Sequence, residues 1–157
     1  MKELTLKSTI LVVQPSELAE HDRALVAQAI EATKRSYSPY SHFHVGAAVR
    51  LVNGVTLMGC NQENAAFPSG ICAERAALFA AGAQYPDEAV EAIAIAASNE
   101  QGELTDEPVS PCGPCRQVLI ETETRYGRAV RILLHGRRHI YVIDGIKQLM
   151  PLSFTEF

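Results

Sequence analysis

Apolar positions at Leu4, Leu6 and Ile10 lead into an unbroken run from Ile10 to Val13, which predicts a strand-like arm ahead of the main body. After Pro15 and the candidate N-cap Ser16 the period changes. Leu18, Leu25, Val26, Ala29, Ile30 and Thr33 fall on one helical face, with Glu20, Asp22, Lys34 and Arg35 elsewhere. Ser36-Tyr37-Ser38-Pro39-Tyr40-Ser41 breaks that period, because Pro39 biases its predecessor to extended backbone, and a loop is predicted. Two strands follow, His44 to Leu51 and Val55 to Asn61, joined by the hairpin signal Asn53-Gly54.

Ala65 to Ile71, with Pro68 and Gly70, reads as a connection, and the Ala-rich stretch from Cys72 to Ala83 as a helix buried over much of its surface. Val90 to Ala97 is short and apolar throughout, the mark of a strand covered on both faces. After the polar loop Asn99 to Pro108, a helix is predicted from Cys112 to about Gly127. Strands Val130 to Leu134 and Ile140 to Ile143, a short helix from Gly145 to Met150 and the tail Pro151 to Phe157 complete the chain. The expected architecture is α/β: a mixed five-stranded sheet with helices on both faces, a three-layer sandwich.

Composition narrows the reading. A chain of 157 residues, 47% hydrophobic and 20% charged, buries one good core, so a single domain over residues 16–157 is expected behind an arm at 1–15. The net charge of -4 and the scattered Lys and Arg residues, Arg137-Arg138 aside, give no phosphate-backbone footprint. No apolar run spans a membrane and no hydrophobic leader follows Met1, so a cytoplasmic protein with neither nucleic-acid nor membrane partner is expected.

Three of the four cysteines stand where two helices should begin: Cys72 in Cys72-Ala73-Glu74-Arg75, and Cys112 and Cys115 in Pro111-Cys112-Gly113-Pro114-Cys115-Arg116. Helix N-termini favour thiolate over thiol, and three thiolates suit a zinc ion that keeps one open position. Such a site carries a formal charge of about -1, which weakens the metal as a Lewis acid. Arg75 and Arg116 directly follow ligand motifs and are expected to donate to the sulfurs. Glu74, two residues from Cys72, points away from the metal and suits a proton carrier for the substrate. Cys60 reads as a small core residue, and His42, His44 and His135 as ordinary loop or strand residues.

These motifs resemble those of the small, homotetrameric, three-cysteine cytidine deaminases. The resemblance also takes in Ser38-Pro39-Tyr40-Ser41-x-Phe43-x-Val45-Gly46-Ala47, Gly59-Cys60-Asn61-x-Glu63-Asn64-Ala65 and Leu149-Met150-Pro151-x-x-Phe154, spanning roughly residues 17 to 154 and leaving out the arm. It implies one Zn2+ per subunit and hydrolytic deamination of cytidine and deoxycytidine, with release of ammonia, in pyrimidine salvage. It further implies that Phe43 packs on the pyrimidine, that Asn61 and Glu63 bond the ribose hydroxyls, and that the backbones of Ala73 and Ser110-Pro111 meet the base edge. Phe67 and Phe154 have no obvious place in a core, and the resemblance assigns them to sites completed by neighbouring chains of a homotetramer.

Three rival readings use the same residues. A deaminase of antibiotics of the blasticidin S type shares the zinc motifs. Cys112-Gly113-Pro114-Cys115 is also a thioredoxin-like redox sequence, although it stands late in the chain and Trp is absent. A structural zinc module needs a fourth protein ligand from Cys60 or a His.

Overall fold

A computed structural model describes residues 1–155; residues 156 and 157 of the expected tail lie outside the described residues. Among the described residues three α-helices, α1 (Glu20–Thr33), α2 (Ala73–Gln84) and α3 (Gly113–Tyr126), pack on six strands, β1 (Leu11–Val13), β2 (His44–Leu51), β3 (Thr56–Cys60), β4 (Val90–Ser98), β5 (Arg131–His135) and β6 (Ile140–Asp144). The strands form one sheet in the order β1-β6-β5-β4-β2-β3. All neighbours run antiparallel except β4 and β5, which are parallel and joined through α3.

The sheet thus has six strands where five are predicted. The arm supplies the sixth: Leu11, Val12 and Val13 pair with Val142, Tyr141 and Ile140 and occupy backbone groups that β6 would otherwise leave open at the sheet edge. Helix α1 starts later than predicted, because Pro15–Glu17 forms a short 3-10 turn, with Glu17 Oε2 accepting from Gln14 N–H at 2.6 Å, before Ala19 caps the helix. The segment after β6 is likewise a 3-10 turn, Ile146–Gln148, rather than a longer helix.

Alternation along the strands sends one set of side chains to each face. Ile93 and Ile95 of β4, Val49, Ile132 and Leu134 meet Ala77, Leu78, Leu119 and Ile120 of α2 and α3. Ala92, Ala94 and Ala96 of the same strand meet Leu25, Val26 and Ala29 of α1, so the sheet is the middle of three layers. Glycine sets how near the helices come. A Cβ at Gly46 would lie 2.1 Å from the Ala29 carbonyl oxygen, and one at Gly59 would lie 2.5 Å from both Ala73 O and Ala77 N. The second contact holds the first turn of α2, and with it Cys72, down on the end of β3. Among the described residues no helix is long and apolar enough to cross a membrane.

Candidate active site

Helices α2 and α3 both begin at a cysteine. Cys72 (φ -75°, ψ 155°) and Cys112 (φ -68°, ψ 170°) are their extended N-cap residues, and Cys115 lies fully buried in the first turn of α3. The sulfurs of Cys72 and Cys112 are 3.8 Å apart, those of Cys112 and Cys115 3.4 Å, and all three lie within 4.8 Å of one another. A tetrahedral zinc with bonds near 2.3 Å requires sulfurs about 3.8 Å apart, so the cluster is able to hold that ion. All four cysteines are free thiols.

Charge is unevenly shared within the cluster. The Cys72 thiol is drawn down to about 5, first by its hydrogen bond with Cys115, with further help from Arg75 and Cys112 and against the cost of burial. The Cys115 thiol moves upward through the same contact and its own burial. Arg75 Nη2 reaches Cys72 Sγ at 3.7 Å, while its Nε is buried with no hydrogen-bond partner. Arg116 has different partners: it donates to Pro111 O and Leu149 O, both at 2.8 Å. Successive residues on a helix are rotated by about 100°, which turns Arg116 away from the cluster beside Cys115 and toward the segment after β6.

Glu74 is only 5% exposed. Burial raises its carboxyl above the ordinary range, and a charged Cys72 adds to the effect. A carboxyl in that state holds its proton longer than a solvated one, which suits it to pass a proton in both directions.

Beside the thiols opens a cleft of 450 Å³ lined by Tyr40, Asn61, Glu63, Phe67, Cys72 and Arg75, among others. Five residues singled out from the sequence are thereby brought together. Phe43 and Phe154 are not part of this lining; the Phe43 carbonyl accepts from Asn61 Nδ2 at 2.9 Å, and that of Phe154 from Gln117 Nε2 at 2.9 Å. Ala73 is fully buried behind the thiols. Cys60 is half-buried and donates to Arg35 O at 3.2 Å, a sheet-edge position rather than a core one.

Sequence reasoning missed the loop's part in shaping the cleft. Glu63 Oε2 accepts from the backbone N–H groups of Tyr40 and Ser41 at 2.9 and 3.2 Å, and hydrogen bonding led by Ser41 holds this carboxyl below its ordinary value. Tyr40 packs edge-on to Phe67 with ring centroids 6.0 Å apart. The signal was present in Ser38-Pro39-Tyr40-Ser41, where proline stiffens the turn that aims these two amides.

A family model described as the cytidine and deoxycytidylate deaminase zinc-binding region matches residues 19–129. The chain belongs to that family. A cytidine deaminase from Halalkalibacterium halodurans is 44% identical over 97 residues, covering 62% of this chain and 68% of the relative. One from Mycoplasma genitalium is 32% identical over 132 residues, 84% of this chain and 88% of the relative. Among solved structures, a cytidine deaminase from Burkholderia pseudomallei superposes with a TM-score of 0.73 at 35% identity, covering 87% of this chain and all of that one. Membership in this deaminase family sets the Cys112–Cys115 pair in a zinc-binding region rather than in a thioredoxin-like redox protein.

Proposed function

We propose that the protein is a zinc-dependent hydrolase that deaminates cytidine and deoxycytidine to uridine and deoxyuridine, releasing ammonia. The observation that carries this reading is the three-thiol cluster at two helix N-termini with the buried Glu74 carboxyl beside it. Cys72, Cys112 and Cys115 hold the zinc, which when bound polarises water into a nucleophile at neutral pH. Glu74 accepts the proton that water gives up, delivers it to the ring nitrogen next to the reacting carbon, and then assists the departure of the amine as ammonia. Arg75 offsets the negative charge of Cys72, which keeps the metal electrophilic. Asn61 and Glu63 bond the sugar hydroxyls, backbone groups of Ala73 meet the edge of the base, and Phe43, exposed next to Asn61 but outside the cleft lining, packs against the base once substrate is bound.

Loss of absorbance at the cytidine band together with ammonia release, compared across cytidine, deoxycytidine, cytosine and blasticidin S, tests the reading. Both nucleosides should turn over and free cytosine poorly, since sugar contacts supply binding energy that orients the ring. Turnover of blasticidin S alone would sink the nucleoside assignment.

The same proposal extends to assembly and setting. Phe67 and Phe154 are 76% and 63% exposed, and aromatics so placed are covered when copies associate, here as a homotetramer with sites completed by neighbouring chains. A fully active monomer in sedimentation with simultaneous turnover would overturn this. Residues 16–157 form the deaminase unit and 1–15 an appended arm. The setting is pyrimidine salvage in the cytoplasm, where thiol ligands stay reduced; fractionation that recovers the activity only outside the cytoplasm would count against it.

A further inference from the structure

Asn61 is held by backbone groups whose hydrogen-bonding roles cannot be reversed. Its Oδ1 accepts from Val45 N–H at 2.8 Å, and its Nδ2 donates to the Phe43 carbonyl at 2.9 Å, so the side-chain amide has one permitted orientation. A third contact follows: Ser36 Oγ lies 2.6 Å from Asn61 Oδ1. That oxygen can only accept, so the single Ser36 hydroxyl proton is spent there. Ser36 Oγ also lies 3.2 Å from Ser38 Oγ, and with its own proton engaged it must accept in that contact, which makes Ser38 the donor. Ser38 Oγ in turn lies 3.1 Å from His44 Nδ1. With the Ser38 proton engaged as well, this nitrogen must be the donor.

We infer that His44, Ser38 and Ser36 form a one-directional hydrogen-bond relay that ends on Asn61, so that the amide offers the substrate pocket an N–H donor and nothing else. The relay occupies both lone pairs of Oδ1 and polarises the amide, which strengthens its remaining N–H. Glu63 complements it: Oε2 accepts from Tyr40 and Ser41, and the carboxylate presents acceptor capacity alone. A hydroxyl meeting this pair is required to accept from Asn61 and donate to Glu63. His44, Ser38 and Ser36 are positioning residues, since each acts through Asn61 rather than on the substrate. Ser38 is buried and Ser36 and His44 half-buried, which shields the relay from competing water.

This inference rests on the nucleoside reading above and is tested apart from it. Wild-type protein that turns over no cytosine nucleoside defeats the earlier reading. If it does turn cytidine over, Ser36→Ala should lower kcat/KM on cytidine by about fivefold to tenfold, the span of one net hydrogen bond, mainly through KM. On dideoxycytidine, which lacks the hydroxyls that Asn61 and Glu63 would read, the same variant should lose less than about twofold, since the missing contact has nothing left to position. Equal losses on both substrates would show Ser36 to be merely structural and overturn the relay. His44→Leu should repeat the Ser36 pattern, and His44→Asn, whose amide can place a donor near the position of Nδ1, should recover most of the loss. Nitrogen-15 spectra of the wild-type protein at alkaline pH need no variant at all: His44 should be the Nδ1–H tautomer, and finding the proton on Nε2 overturns the proposal.

Discussion

Among the described residues two carboxylates are buried, Asp22 and Glu74, and their surroundings differ. Asp22 of α1 is 1% exposed and meets cations on both oxygens, Arg50 Nη2 on Oδ1 and Arg131 Nε on Oδ2, each at 3.0 Å. Those arginines continue to Glu91 at 2.6 Å and Asp144 at 2.8 Å, and Arg128 reaches Glu91 at 3.6 Å, so three carboxylates meet three guanidinium groups along one chain of contacts. Glu74, 5% exposed, lies instead against thiols that compete with it for negative charge, and burial pushes its carboxyl upward. A buried acid with an arginine on each oxygen joins the elements that carry those arginines, here α1 to β2 and β5. A buried acid whose carboxyl is raised mainly by burial is the kind of group suited to proton transfer, the role proposed above for Glu74.

Substitution should separate the two roles. Glu74→Gln preserves shape and removes the exchangeable proton, so kcat should fall by about 10²–10⁴-fold, measured as ammonia release, while bound zinc and the unfolding midpoint stay near wild type. Near-normal turnover in this variant would make the two acids alike. Asp22→Ala should do the reverse. It leaves the buried Arg50 and the partly exposed Arg131 each with one carboxylate partner fewer, at a cost of about 1.5–3 kcal/mol, read by urea unfolding, with kcat per folded molecule unchanged. A drop in kcat without a drop in stability would connect that network to the chemistry.

His135 gives the smallest effect and sharpens the comparison, being a buried titratable group in neither setting. Its Nδ1 is buried with no hydrogen-bond partner, and burial lowers its pKa below 6.5. As the pH falls through the unfolded value, the unfolded chain takes up a proton that the folded one resists. Stability is therefore full above about pH 6.5 and declines toward the lower folded pKa. His135→Leu should flatten that acid-side decline, by less than the cost of Asp22→Ala. An unchanged pH profile would assign the decline to other groups.

How much of this was legible in the sequence depended on whether the information was local. The apolar period placed α1, α2 and α3, and Asn53-Gly54 placed the β2–β3 hairpin, because those patterns belong to single elements. The arm showed a strand pattern too, yet nothing local names a strand's neighbour, and its pairing with β6 went unread. Cys72, Cys112 and Cys115 were readable as a group because their spacing and the two predicted helix starts are local features of the sequence. Arg116 was not, since its carbonyl partners Pro111 and Leu149 are a matter of side-chain direction. The Ser36 and Ser38 hydroxyls were equally hidden, because serines in a turn look alike until the backbone fixes where each points.

Cys72 and Cys112 stand 40 positions apart, and the chain between them includes β4, which pairs with both β2 and β5. An ion held by both sulfurs closes that stretch into a ring, as a covalent cross-link would. For a ring of this length the chain entropy removed from a disordered state that keeps both ligands is worth about 4 kcal/mol. The same three thiols that prepare the metal for chemistry would thus fasten the sheet's interior strand between two anchored ends, and the protein's resistance to unfolding would follow the concentration of free zinc around it.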